Sequence, residues 1–181
     1  MADIFPTGFF GAKNAFRMLE PVPASEATVV VIGCGPVGLC AIVAALEHKP
    51  KHLFAVDGVE SRLALAKKLG AEPLNFMTDK EGMLKRVKEA SGGRGADAVI
   101  EVVGLSPALR TAYDLIRPWG VISSIGVHNA EVSPCPPWSW GCHARGSRAD
   151  LADADPLHRK RCVQVSATIV GDNSLCTPQK F

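Results

Sequence analysis

The chain has 181 residues, 47% apolar and 21% charged, which suits one folded domain with an appendage and excludes a disordered polypeptide. Twenty basic residues against 18 acidic leave a net charge of +2, too even a balance for the basic face that nucleic acid requires. Six cysteines are too few for a disulfide scaffold, and Met1-Ala2-Asp3 does not lead into an apolar run, so a cytoplasmic setting is expected.

Residues 1–27 read as a lead-in to the first strand. From Ala27 to Leu46 no residue is charged, the length a membrane helix needs. Gly33, Gly35 and Pro36 break that stretch after the β-branched run Thr28–Ile32, so a buried strand, a turn and a helix fit better. The helix runs from Pro36 to about His48, with Leu39, Ile42, Val43 and Leu46 at helical spacing and proline at its first position. A second strand, His52–Asp57, ends in an acid, and a helix over 60–69 closes at Gly70. Thr78 and Glu81 have capping-box spacing before another helix. A strand over Asp97–Val103 follows, then a helix opened by Ser106-Pro107 with Leu109, Ala112, Tyr113 and Ile116 inward. Pro118-Trp119-Gly120 turns the chain into the strand Val121–Ile125. Strand–helix alternation with crossovers of this length predicts an α/β fold, a doubly wound parallel sheet.

The composition changes near residue 134. Residues 1–134 hold 14 of the 17 glycines and no net charge, whereas 135–181 hold four of the six cysteines and a net +2. The expected division is a lead-in over 1–27, an α/β domain over 28–134 and an irregular tail over 135–181. Within the tail Cys135, Cys142, His143, His158 and Cys162 lack the paired spacing of a zinc finger. Trp138 and Trp140 have no basic groove around them, so packing is favoured over base stacking. Val163, Val165, Ala167 and Ile169 alternate with other residues, predicting a strand within 162–170.

Gly33-Cys34-Gly35-Pro36-Val37-Gly38 is GxGxxG, and Asp57 lies 19 residues beyond Gly38 at the end of the next strand. Gly33 permits the tight turn, Gly35 leaves room for a pyrophosphate and Gly38 lets the helix close on its strand. The helix start offers N–H groups to phosphate, with Val37 the expected donor because Pro36 has none. Asp57 is suited to accept the hydroxyl hydrogens of an adenosine ribose, and its charge opposes a 2′-phosphate, so NAD is expected over NADP. The bland alternative is that these glycines only form a turn and Asp57 only caps a helix.

These segments, together with the runs Ala55–Leu69, Gly95–Gly104 and Gly120–Gly126, resemble the coenzyme domain of the zinc-dependent medium-chain alcohol dehydrogenases, over about residues 2–133. Asp3-Ile4-Phe5-Pro6-Thr7-Gly8 resembles the formaldehyde dehydrogenase and dismutase branch. The resemblance implies a Rossmann fold and an NAD-dependent alcohol or aldehyde oxidoreductase. It places Arg62 beside the adenosine ribose and Val102 and Val103 along the adenosine and nicotinamide ribose. It sets Ile125, Gly126 and Val127 at the carboxamide, and Thr7 near the nicotinamide ring. Asp3 matches the third ligand of the family's catalytic zinc, whose Cys and His ligands come from a preceding catalytic domain.

No such ligands precede Asp3 here, and 135–181 departs from the family pattern, as a frameshifted or alternatively spliced tail would. Two readings stay open. One is the NAD-binding domain of a zinc-dependent oxidoreductase, without an intact catalytic set and inactive alone. The other is a non-catalytic dinucleotide-binding, regulatory or partner module. The expected partner is a small-molecule dinucleotide, with a homo-oligomer through a sheet edge as an open alternative; neither nucleic acid nor a membrane is expected.

Overall fold

The computed structural model describes residues 3–19, 22–126 and 164–167, the last four by their backbone. Helix α1 spans Ile4–Arg17 and leads through a short 3-10 turn, Ala24–Glu26, into β1, Thr28–Ile32. Then come α2 (Pro36–Glu47), β2 (His52–Asp57), α3 (Glu60–Leu69), β3 (Glu72–Asn75) and α4 (Lys80–Ala90). The chain continues through β4 (Ala96–Glu101), α5 (Ser106–Leu115), β5 (Ile116–Ser124) and β6 (Gln164–Ala167). The sheet order is β3-β2-β1-β4-β5-β6, and every pairing is parallel. This is the doubly wound α/β sheet that the alternation predicts.

Strand β1 is buried along its whole length, and its side chains divide between two cores. Val29 and Val31 pack with Ala12 and Ala15 of α1, Ala41, Ile42 and Ala45 of α2, and Leu63 and Ala66 of α3. Val30 and Ile32 pack with Met83 and Val87 of α4 and Ala112 and Leu115 of α5. A β-branched strand covered on both faces is what parallel sheets require. Gly70 ends α3 at φ 111°, the left-handed conformation that glycine takes without a Cβ clash.

Several boundaries differ from expectation. The lead-in is helical: α1 carries Gly8 and Gly11, poor helix formers that let it lie close to its neighbours. A Cβ at Gly8 would come within 2.6 Å of the Val37 carbonyl oxygen, and one at Gly11 within 2.7 Å of Ile125 Cδ1. Ser123 Oγ donates to the Gly11 carbonyl at 2.9 Å, tying α1 to β5. The short β3 was also hidden, since Pro73 is tolerated only because this strand is an edge. Helix α4 is capped by Asp79, whose Oδ1 accepts from Gly82 N at 2.7 Å, in place of the Thr78–Glu81 box. Ile116 belongs to β5, opposite Ala96, and not to the face of α5. Strand β4 stops at Glu101, leaving Val102 and Val103 in the following loop.

Between the pairs Ala96↔Ile116 and Ala98↔Val121 the register of β5 shifts, and Trp119 sits at φ 62° in the extruded turn. Beside it, at the amino end of the sheet, Asp97 is fully buried. Its carboxylate accepts from Thr28 N at 2.8 Å and from Arg117 Nε at 2.6 Å. The strand expected within 162–170 appears as β6, Val121–Ser124 pairing with Gln164–Ala167.

Candidate functional site

The strand order reverses between β1 and β4, and the crevice outside their carboxyl ends is where open α/β sheets bind ligands. Gly33 leaves β1 at φ 95°, and its N–H donates to the Val56 carbonyl at 2.8 Å. Val102 and Val103 come over the loop from the end of β4. A Cβ on Gly33 would lie 2.7 Å from Val103 Cγ2 and 3.1 Å from Val102 Cγ2. A Cβ on Gly38 would overlap the Gly33 carbonyl, so α2 presses directly on the loop. Gly35 differs from both: among the described residues, its own chain neighbours and helix backbone aside, no heavy atom lies within 4 Å of the position a Cβ would take. The loop thus faces open space at its middle glycine.

Gly35 is the N-cap of α2 and Pro36 its first residue. The N–H groups of Val37 and Gly38 lie in the first turn, before the intrahelical ladder begins; the first ladder bond there is Leu39 N to the Gly35 carbonyl, at 2.9 Å. They are positioned for an anion at the helix start.

Asp57 closes the β2 side and is 7% exposed. Its Oδ2 accepts from Cys34 N at 2.7 Å and its Oδ1 from Val59 N at 2.8 Å. Asp57 does not cap α3, whose N-cap is Val59 without a side-chain bond; its two loop bonds leave room for a ribose, because a carboxylate has about four acceptor positions. Arg62 Nη1 stands 3.8 Å from Asp57 Oδ2 with its side chain 53% exposed, a loose pair at the mouth of the site. The Cys34 thiol sits behind the loop, 3.8 Å from the Val56 carbonyl. Burial pushes its pKa from 9.0 to about 12, the Asp57 charge pushes the same way, and Arg62 opposes. It stays a protonated, unreactive thiol.

On the other side, Ile125 N donates to the Glu101 carbonyl at 2.9 Å, and Gly126 abuts Gly104 and Val103 with no room for a Cβ. Thr7 lies on α1, half-buried, in the turn that Gly8 presses onto the start of α2. The structure therefore brings Gly33, Gly35, Val37, Gly38, Asp57 and Arg62 together, with Val102 and Val103 against them and Gly126 against Val103. Ile125 turns its side chain toward Gly11, so its backbone and not its side chain is what it offers the crevice. Val127 lies outside the described residues.

Sequence reasoning missed Glu101 and Ser124. Glu101 is fully buried, its Oε1 accepting from Val103 N and Gly104 N at 2.8 and 2.7 Å, its Oε2 from Ser124 Oγ at 2.6 Å. The available signal was an acid ending an apolar strand, as Asp57 does.

The described residues do not assemble a metal centre: no group of three or more His, Cys, Asp or Glu is present among them. Asp3 is exposed at the N-cap of α1, without a side-chain capping bond. The tail residues Cys135, Cys142, His143, His158 and Cys162, with Trp138 and Trp140, lie outside the described residues. Among the described residues no helix is long and apolar enough to cross a membrane.

Residues 36–149 match the family described as Zinc-binding dehydrogenase. A zinc-type alcohol dehydrogenase B of Aspergillus flavus is 68% identical over 139 residues, covering 77% of this chain and 32% of that protein. A medium chain reductase/dehydrogenase, ucsI, of an Acremonium species is 63% identical over 130 residues, covering 72% of this chain and 44% of that one. In solved structures, the alcohol dehydrogenase TADH of Thermus sp. ATN1 superposes with a TM-score of 0.70 at 29% identity, over 92% of this chain and 41% of its own. The chain thus spans about a third to under half of the length of these relatives.

Proposed function

The chain belongs to the zinc-binding dehydrogenase family, and on that premise we propose that it is the NAD-binding domain of an alcohol- or aldehyde-oxidising enzyme. The observation that carries this reading is the open space over Gly35 beside the buried carboxylate of Asp57. The pyrophosphate would lie over Gly35, with Val37 N–H and the start of α2 facing its charge. Asp57 would accept from the adenosine ribose hydroxyls and repel a 2′-phosphate. Arg62 would flank that ribose, while Val102, Val103 and the Ile125–Gly126 backbone would line the remainder. Bound in that crevice, nicotinamide supplies a hydride acceptor for an alcohol carbon. The protein's part is to hold it, exclude water around it and set its orientation. Calorimetry tests this directly: NAD should bind more tightly than NADP, and equal affinities would overturn the Asp57 assignment.

The run Asp3–Gly8 supports a place in the formaldehyde dehydrogenase and dismutase branch. Asp3 alone does not make a zinc site, which takes about three protein ligands. This polypeptide by itself is expected to bind the dinucleotide without oxidising alcohols. The second reading is a non-catalytic dinucleotide-binding, regulatory or partner module. Both readings expect no turnover from this polypeptide alone; turnover on an alcohol and aldehyde panel once it is joined to a domain that supplies the missing zinc ligands separates the two. The proposed setting is cytoplasmic, with a small-molecule dinucleotide as partner and a homo-oligomer through a sheet edge as the alternative.

A further inference from the structure

We propose that Glu101 is a positioning residue for the nicotinamide half of the cofactor, acting by clamping together the two loops that line that half; this rests on the dinucleotide reading above. Glu101 is the last residue of β4 and is fully buried. A carboxylate in that position is costly unless its oxygens are hydrogen-bonded. Its bonds go to both loops. Oε1 receives the N–H groups of Val103 and Gly104 at 2.8 and 2.7 Å. Oε2 receives Ser124 Oγ at 2.6 Å, and the Glu101 carbonyl receives Ile125 N at 2.9 Å. One residue thereby joins the loop after β4 to the end of β5.

The joined loops have little freedom to move separately. The N–H groups of Val103 and Gly104 converge on the same oxygen, and Gly104 then turns the chain back at φ 77°. Gly126 lies against Gly104 and Val103 without space for a side chain. The same loop sets Val102 and Val103 beside Gly33. Loosening Glu101 would therefore shift the wall facing the phosphate loop.

Which half of the ligand this wall meets follows from the sheet order. Asp57 ends β2, on one side of β1; Glu101 ends β4, on the other. Each acid holds the N–H groups of an adjacent loop, Asp57 those of Cys34 and Val59. With the adenosine ribose at Asp57 and the pyrophosphate over Gly35, the rest of a dinucleotide extends toward β4 and β5.

The test compares NAD with AMP, a probe for the adenosine half, on Glu101→Ala, Glu101→Gln and Ser124→Ala by calorimetry. Glu101→Ala should weaken NAD by about tenfold or more, because hydrogen bonds to a charged group are lost, with AMP affinity unchanged. Glu101→Gln keeps an oxygen for Val103 N and Gly104 N and should recover much of the loss. Ser124→Ala removes one bond at little cost in volume and should move the NAD-to-AMP ratio in the same direction, even if Glu101→Ala fails to fold. Hydrogen exchange in the ligand-free protein should rise at Val103 and Gly104 in Ser124→Ala while Val29–Ile32 stay protected. Equal weakening of AMP and NAD, or no change in NAD affinity or loop exchange, overturns the proposal. A wild-type chain that binds neither ligand overturns the dinucleotide reading instead, while the exchange measurement still decides whether Glu101 and Ser124 clamp the loops.

Discussion

Gly35 separates two kinds of glycine within one loop. Its φ of −70° and ψ of −176° suit any L-residue, and no other part of the described chain lies within 4 Å of where a Cβ would stand. Gly35→Val should therefore leave folding intact and abolish NAD binding by occupying the pyrophosphate's space; circular dichroism and calorimetry check the two halves. Gly38→Ala, which overlaps the Gly33 carbonyl, should instead destabilise the fold. Asp57→Ala should weaken NAD by about 1.5–3 kcal/mol and narrow the preference over NADP. It also frees Cys34 N and Val59 N, so Asp57→Asn is the milder comparison. Cys34 makes a pH prediction. Its thiol holds its proton to about 12 when folded against 9.0 ordinarily. The folded chain therefore binds more protons than the unfolded one between those values, and stability falls as pH rises through that window. Its contribution is fully present below 9.0. Denaturant curves for Cys34→Ala should show a shallower alkaline loss than wild type.

At the scale of elements, a single acid joins three segments at the amino end of the sheet. Asp97 receives Thr28 N from β1 and Arg117 Nε from β5, and Arg117 is 15% exposed against 0% for its partner. Removing one member of such a pair leaves a buried charge, so Arg117→Ala should cost about 3–5 kcal/mol in urea unfolding. The elements most legible in the sequence are those whose residues all favour one structure. Thr28–Ile32, the glycine loop and the helix after Pro36 belong to that class, and Asp57 was legible because it ends a strand at a set distance from the loop. Helix α1 was not, because Pro6, Gly8 and Gly11 weaken the helical signal, while their value lies in contacts with α2 and β5 that are distant in sequence. Glu101 ends an apolar strand as Asp57 does, but no glycine loop at a set distance marks it, and the donors that converge on it come together only in the fold.

For the whole molecule, the distinction that matters is between holding a dinucleotide and performing a reaction. Purified chain should bind NAD yet form no NADH from simple alcohols or formaldehyde, with less than stoichiometric metal by elemental analysis. Chelator-sensitive turnover with about one zinc per chain would overturn that expectation, because a catalytic zinc uses about three protein ligands. The sheet order has a further consequence, for assembly. Strand β1 pairs first with β2, 24 residues away at Thr28↔His52, but its other neighbour, β4, is 69 residues away at Val29↔Ala98. The tie from Ser123 to α1 spans 112 residues. Contacts so distant in sequence form late, after the entropy of closing long loops has been overcome. A nascent chain released only through β3 would hold the glycine loop and Asp57 but lack the wall that completes the crevice. A dinucleotide bound as proposed would act as a staple across the seam between early and late halves, adding about 2.7 kcal/mol of stability at a hundredfold excess over its dissociation constant.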